Sequence, residues 1–154
     1  MREIPIGVIK LALEEHGQSV GDYEDSGDFC RIAPIAFGEV LKKELQKKNG
    51  GIDSDDRFTI GLFVIAASNY ITAVLNVDFE TVSLLTLLDY YRDCEDGDRV
   101  TLGSDTVIAF NDVMSEGNAG RALMLQIAKF FEHSGEEHLA KLMALYGVFR
   151  EGLD

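Results

Sequence analysis

Carboxylates are the side chains with the most chemical potential in this chain, since 27 Asp and Glu stand against 14 Lys and Arg for a net charge of −13 at pH 7. They gather in three clusters: Asp22, Glu24, Asp25 and Asp28; Asp53, Asp55 and Asp56; and Asp93, Glu95, Asp96 and Asp98. Asp22, Glu24, Ser26 and Gly27 match the opening of an EF-hand calcium loop, in which oxygens alternate before a turn glycine. Ala33 then stands where that loop needs its bidentate glutamate, so a solvated acidic loop is the better reading. The third cluster fails as well, because Gly97 in the turn position would make Arg92 the first ligand. Asp89 and Asp93 have the i, i+4 spacing of a helix-borne carboxylate pair. No E-x-x-E partner helix or D-D-x-x-D run accompanies them, which leaves a solvent-facing helix end. No metal and no cofactor is expected.

The remaining reactive types are sparse. His16, His133 and His138 form neither an H-E-x-x-H motif nor a His-Asp pair, and His133 suits the negative end of a helix. Cys30 and Cys94 lack C-x-x-C or zinc spacing, and Cys30 reads as a small, half-buried hydrophobe. Nucleophile-elbow, P-loop and dinucleotide glycine motifs are absent. Ser68, Asn69, Tyr70 and Thr72 interrupt an otherwise apolar run; they could line a pocket, or hydrogen-bond between helices in a core.

Charge narrows the partners. Phosphate-backbone binding depends on Lys and Arg displacing counterions, so this composition points away from direct nucleic-acid contact and from anionic membrane surfaces. The same field steers a basic protein toward the chain. Lys42, Lys43, Lys47 and Lys48 are gathered in one segment, which concentrates the negative excess elsewhere.

These residues must be positioned by helices. Pro5 to His16 predicts a first helix, with Ile6, Ile9 and Leu13 on one face and Gly17 as its stop. Gly17 to Cys30 reads as a long loop. Ala33 or Pro34 to Lys48 predicts a second helix with Phe37, Leu41 and Leu45 in register. Phe58 to Val77 has no charged side chain, and Asp53, Asp55 and Asp56 before it suit an N-cap and first turn. Its length matches a membrane span, but polar interruptions and missing flanks favour the central helix of a bundle. A further apolar helix is expected from Asp78 to Arg92. Arg99 to Leu102 and Thr106 to Phe110, separated by Gly103-Ser104-Asp105, predict a small β-hairpin; a short helix from Val107 to Ser115 is the alternative. Asn118 or Ala119 to His133 shows a 3.6-residue apolar pattern. Ser134 and Glu137 then form a capping box for a last helix.

One stretch, Asp28-Phe29-Cys30-Arg31-Ile32-Ala33-Pro34-Ile35, is similar to an M-R-I-A-P-L segment of the ADP-ribosylglycohydrolases, a family of helical, magnesium-binding enzymes. The glycine-aspartate, T-D-D-T-like and C-terminal D-x-D signatures of that family are missing, and the likeness is assigned to chance.

The sequence therefore predicts a mainly α fold: one globular domain over residues 1–154, a bundle of about six helices with a β-hairpin near residues 99–110, or the same bundle without the hairpin. A secretory signal is not expected at Met1 to Pro5, and a cytoplasmic setting is. The expected function is an acidic interaction module of the inhibitor, immunity-protein or nucleic-acid-mimic type. It would bind a basic protein through the three acidic clusters, and is not expected to be an enzyme. The alternative is a small helical enzyme or ligand-binding domain with a pocket around the 58–77 helix. Self-association as a homodimer through the apolar central helices or Phe130 and Phe131 is a further possibility.

Overall fold

The computed structural model describes residues 6–21, 26–133 and 135–152. Seven helices follow one another among them: α1 (Ile6–Glu15), α2 (Ser26–Asn49), α3 (Ser54–Leu75), α4 (Phe79–Tyr90), α5 (Asp96–Ser115), α6 (Asn118–His133) and α7 (Glu136–Glu151). The architecture is a helical bundle, and no strand occurs among the described residues.

α3 is the axis of the bundle, packed against α2, α4, α5, α6 and α7, while α1 rests on α2 and α6. Its apolar sequence is matched by its surroundings: Ile60, Phe63, Val64, Ile65, Ala66, Ala67 and Ile71 are almost fully inaccessible. It passes the length and hydropathy test for a membrane span, yet 72% of its apolar window is buried inside the chain, as befits a core helix. Glycine permits the closest approaches. A Cβ at Gly38 of α2 would lie 2.7 Å from Val64 Cγ2, and one at Gly61 would lie 2.5 Å from the Tyr91 hydroxyl. Either methyl would push α3 off a neighbour. Phe37, Phe130 and Phe131 make a T-shaped aromatic cluster on the α2–α6 side, and Phe63 meets Tyr146 and Phe149 of α7. α3 ends at Asn76, whose left-handed backbone (φ 59°, ψ 45°) turns the chain toward α4.

Two sequence expectations are corrected. The β-hairpin near residues 99–110 is instead part of the continuous helix α5, so the helices number seven among the described residues. Gly103, Thr106 and Phe110 are its buried residues, a helical stripe built mainly from small side chains. Thr106 is tied to Leu102 O at 2.7 Å and to the Tyr91 hydroxyl at 2.8 Å. Packing of that stripe on α3 and α4 overrides the strand preference of Val100, Thr101, Val107 and Ile108. The second correction concerns the loop expected through Cys30. α2 begins at Ser26 and runs through Pro34, burying Phe29, Cys30, Ala33 and Phe37 along one side. That burial offsets the roughly 3 kcal/mol that an interior proline costs a helix. The capping serine expected at Ser134 lies outside the described residues; Gly135 occupies the N-cap of α7.

Candidate functional site

The acids divide by whether a cation stands opposite them. At the start of α3, Asp53 and Asp56 form a reciprocal capping box: Asp56 N–H donates to Asp53 Oδ1 at 2.8 Å, and Asp53 N–H donates to Asp56 Oδ2 at 3.2 Å. Arg150, at the end of α7, reaches into this turn. Its Nη2 donates to Asp53 Oδ2 at 3.0 Å, its Nε donates to Asp56 Oδ1 at 3.2 Å, and its Nη1 lies 3.7 Å from Asp55. The Tyr146 hydroxyl adds a 2.8 Å bond to Asp56 Oδ1. The Asp56 side chain is only 12% exposed and Arg150 22%, so this is a partly buried charge cluster fastening the last helix to the core helix. The Asp56 amide first, and Arg150 with it, hold the Asp53 carboxyl below the ordinary carboxylate range. Burial first, then the bond to Asp56, push the Tyr146 phenol upward.

A second junction joins the start of α3 to the C-terminal end of α4. Arg57 makes a two-pronged ion pair with Asp93, through Nη1 at 3.0 Å and through Nη2. Its guanidinium sits over the rings of Tyr90 and Tyr91, 5.8 and 5.6 Å from their centroids. Backbone and side chain then exchange bonds, for Arg57 Nη2 donates to Tyr90 O at 3.3 Å while the Tyr90 hydroxyl donates to Arg57 O at 2.9 Å. Arg57 accordingly lowers the Asp93 carboxyl below its usual value. Nearby, Arg31 Nη2 donates to Asp89 at 2.8 Å, and Asp96 accepts from Arg99 within α5.

Of the sequence-selected acids, Asp22, Glu24 and Asp25 lie outside the described residues. Asp28 is exposed in the first turn of α2. Asp53, Asp55 and Asp56 come together around Arg150; Asp93 and Asp96 are paired as above. Glu95 and Asp98 are exposed without an ion pair among the described residues. Asp98 opens a line that was not singled out in the sequence. On α5, Asp98, Asp105 and Asp112 recur at seven-residue spacing, all exposed, with Thr101 and Ile108 exposed between them and Ser115 exposed after them. Seven residues are close to two helical turns, so these carboxylates share one face. Val100 (57% exposed) and Ile108 (58%) are apolar side chains on the solvent side of the same helix. Once a helix over 96–115 is known, the spacing is plain; the hairpin reading hid it.

Ser68, Asn69, Tyr70 and Thr72 take part in helix packing. Ser68 and Thr72 are buried, and the Thr72 hydroxyl donates to Ser68 O at 2.7 Å. Asn69 contacts Met124 Sδ at 3.9 Å and Tyr70 donates to Glu132 at 3.1 Å, so both serve the α3–α6 contact. Phe130 and Phe131 are buried in the core. Cys30 is fully buried and Cys94 half-buried, both as thiols. No group of three or more His, Cys, Asp or Glu suited to a metal ion occurs among the described residues.

A groove of about 750 Å³ does open between α2, the segment after it and the C-terminal end of α4. Ile32, Ile35, Ile52 and Tyr90 give it an apolar lining, with Glu39, Lys42, Arg57, Asp89, Arg92 and Asp93 supplying charge. It touches α3 only at Arg57, one turn from that helix's start. No family model, curated protein or solved structure matches the chain.

Proposed function

We propose that the chain is an acidic protein-interaction module whose outer α5 face receives a basic, partly apolar segment of another protein. The observation that carries this reading is the exposed line Asp98, Asp105 and Asp112, in no ion pair among the described residues and with the exposed Ile108 beside it. Carboxylates without an intramolecular cation keep their full attraction for an external one, and apolar contacts beside them supply affinity that salt does not screen. Glu95 extends the face at its N-terminal end, and Asp28 with Asp22, Glu24 and Asp25 forms a separate acidic stretch that a large basic surface could also engage. Asp53, Asp55, Asp56 and Asp93 contribute to the general negative field more than to direct contact, because their cations are already in place. A helix with Lys or Arg at seven-residue spacing around an apolar stripe is the matching partner chemistry.

The test is a titration with a labelled synthetic helix of that design, followed by fluorescence anisotropy at about 100 and 500 mM salt. The D98N/D105N/D112N variant should bind about ten-fold or more weakly at the lower salt, the equivalent of one or two charge-assisted contacts. A variant carrying D22N, E24Q, D25N and D28N should lose less. Equal binding by the native chain and the α5 variant removes this face from the proposal.

A further inference from the structure

The groove at the C-terminal end of α4 has a charge balance unlike the rest of the molecule. Two of its three acids are already matched: Asp93 by Arg57 and Asp89 by Arg31. What remains are Lys42 and Arg92, neither in an ion pair among the described residues, against the single carboxylate of Glu39. With Asp89 matched by Arg31 from outside the lining, the three unmatched groups sum to one positive charge, in a chain whose net charge is −13. Lys42 and Asp93 both line the groove. Beside these cations lie three isoleucines and the Tyr90 ring, and the volume falls in the range of small-molecule sites.

We propose that this groove binds a small organic monocarboxylate with an apolar body. The carboxylate is held by Lys42 and Arg92, and the body lies along Ile32, Ile35 and Ile52. One net positive charge suits a singly charged head better than a phosphate dianion, which Glu39 and the surrounding negative field oppose more strongly. The Arg57–Asp93 pair is part of the wall: it is held by two hydrogen bonds and two aromatic rings, so it presents a fixed neutral surface and does not compete for the ligand. Glu39 is the discriminating residue, admitting an anion only where an apolar contact adds to the attraction of the two cations.

Octanoate serves as the probe, with octyl phosphate and octylammonium as controls, in an amide chemical-shift titration of the full chain. The proposal expects octanoate shifts centred on residues 32–42, 52 and 90–93. Lys42→Gln and Arg92→Gln should each weaken octanoate binding about ten-fold, Ile32→Ser should weaken it several-fold, and Glu39→Gln should tighten it. All four side chains are at least partly exposed, so melting temperatures close to the native value will show that the variants are folded. D98N/D105N/D112N should bind octanoate as the native chain does, which separates this site from the α5 face. Shifts centred elsewhere, none up to the solubility of octanoate, octylammonium binding as tightly at the same residues, or unchanged affinity in both cation variants would overturn the assignment.

Discussion

The start of α3 and the outer face of α5 each hold three aspartates, and the fold surrounds the two sets differently. Asp53, Asp55 and Asp56 are gathered on Arg150, and one of them is nearly buried. Asp98, Asp105 and Asp112 face water, in no ion pair among the described residues. The difference is not in the acids but in what the fold brings to them. An aspartate becomes part of the scaffold when a distant arginine reaches it, and otherwise stays available to an outside partner.

The strongest test of this contrast is to remove the arginine. Arg150→Met leaves Asp56 half-satisfied in a largely buried setting, and it should destabilise the chain by about 2–3 kcal/mol in urea unfolding, somewhat less than a fully buried pair because Arg150 keeps some exposure. A loss below about 0.5 kcal/mol would show that the cluster does not fasten α7. Tyr146→Phe removes one bond to the same carboxylate and should cost about 1–2 kcal/mol by the same measurement. Acid comes next. Asp53 is held low by the Asp56 amide and Arg150, and Asp93 is held low by Arg57. A carboxyl lower in the folded than in the unfolded chain adds stability that is fully present above the unfolded value near 4 and is lost as pH falls through the folded value. Melting temperature should therefore drop as the medium is acidified below about pH 4, and the D53N/D93N variant should show a shallower drop between pH 4 and 2. The smallest effect sharpens the contrast from the other side: D98N/D105N/D112N should change stability by no more than about 0.5 kcal/mol while removing most of the basic-helix binding. A large stability change there would make α5's acids structural too.

Much of the bundle is legible in the sequence because its signals are local. Asp53 three residues before Asp56 marks a helix start, and the uncharged stretch that follows can only be satisfied by burial on nearly every side. Asn118 to His133 declares its apolar stripe openly. What stayed hidden was non-local. Arg150 meets Asp56 across 94 residues of chain, and a basic residue in a last helical turn already has a sufficient explanation in the helix dipole. α5 was obscured for another reason: its buried stripe is Gly103 and Thr106 before it is Phe110, so the usual apolar periodicity is faint, and β-branched residues on its outside imitate a strand. The groove was illegible because its character depends on which charges are cancelled. Lys42 reads as one of several lysines until Asp93 and Asp89 are seen to be occupied.

The two thiols give the molecule a built-in stopwatch. Cys94, half-buried beside the junction of α4 and α5, should react with a thiol reagent while the chain is intact, whereas Cys30, sealed inside α2's packed side, should react only when that side parts from the core. The interval between the two labelling phases reports how often the interior opens, without any engineered probe.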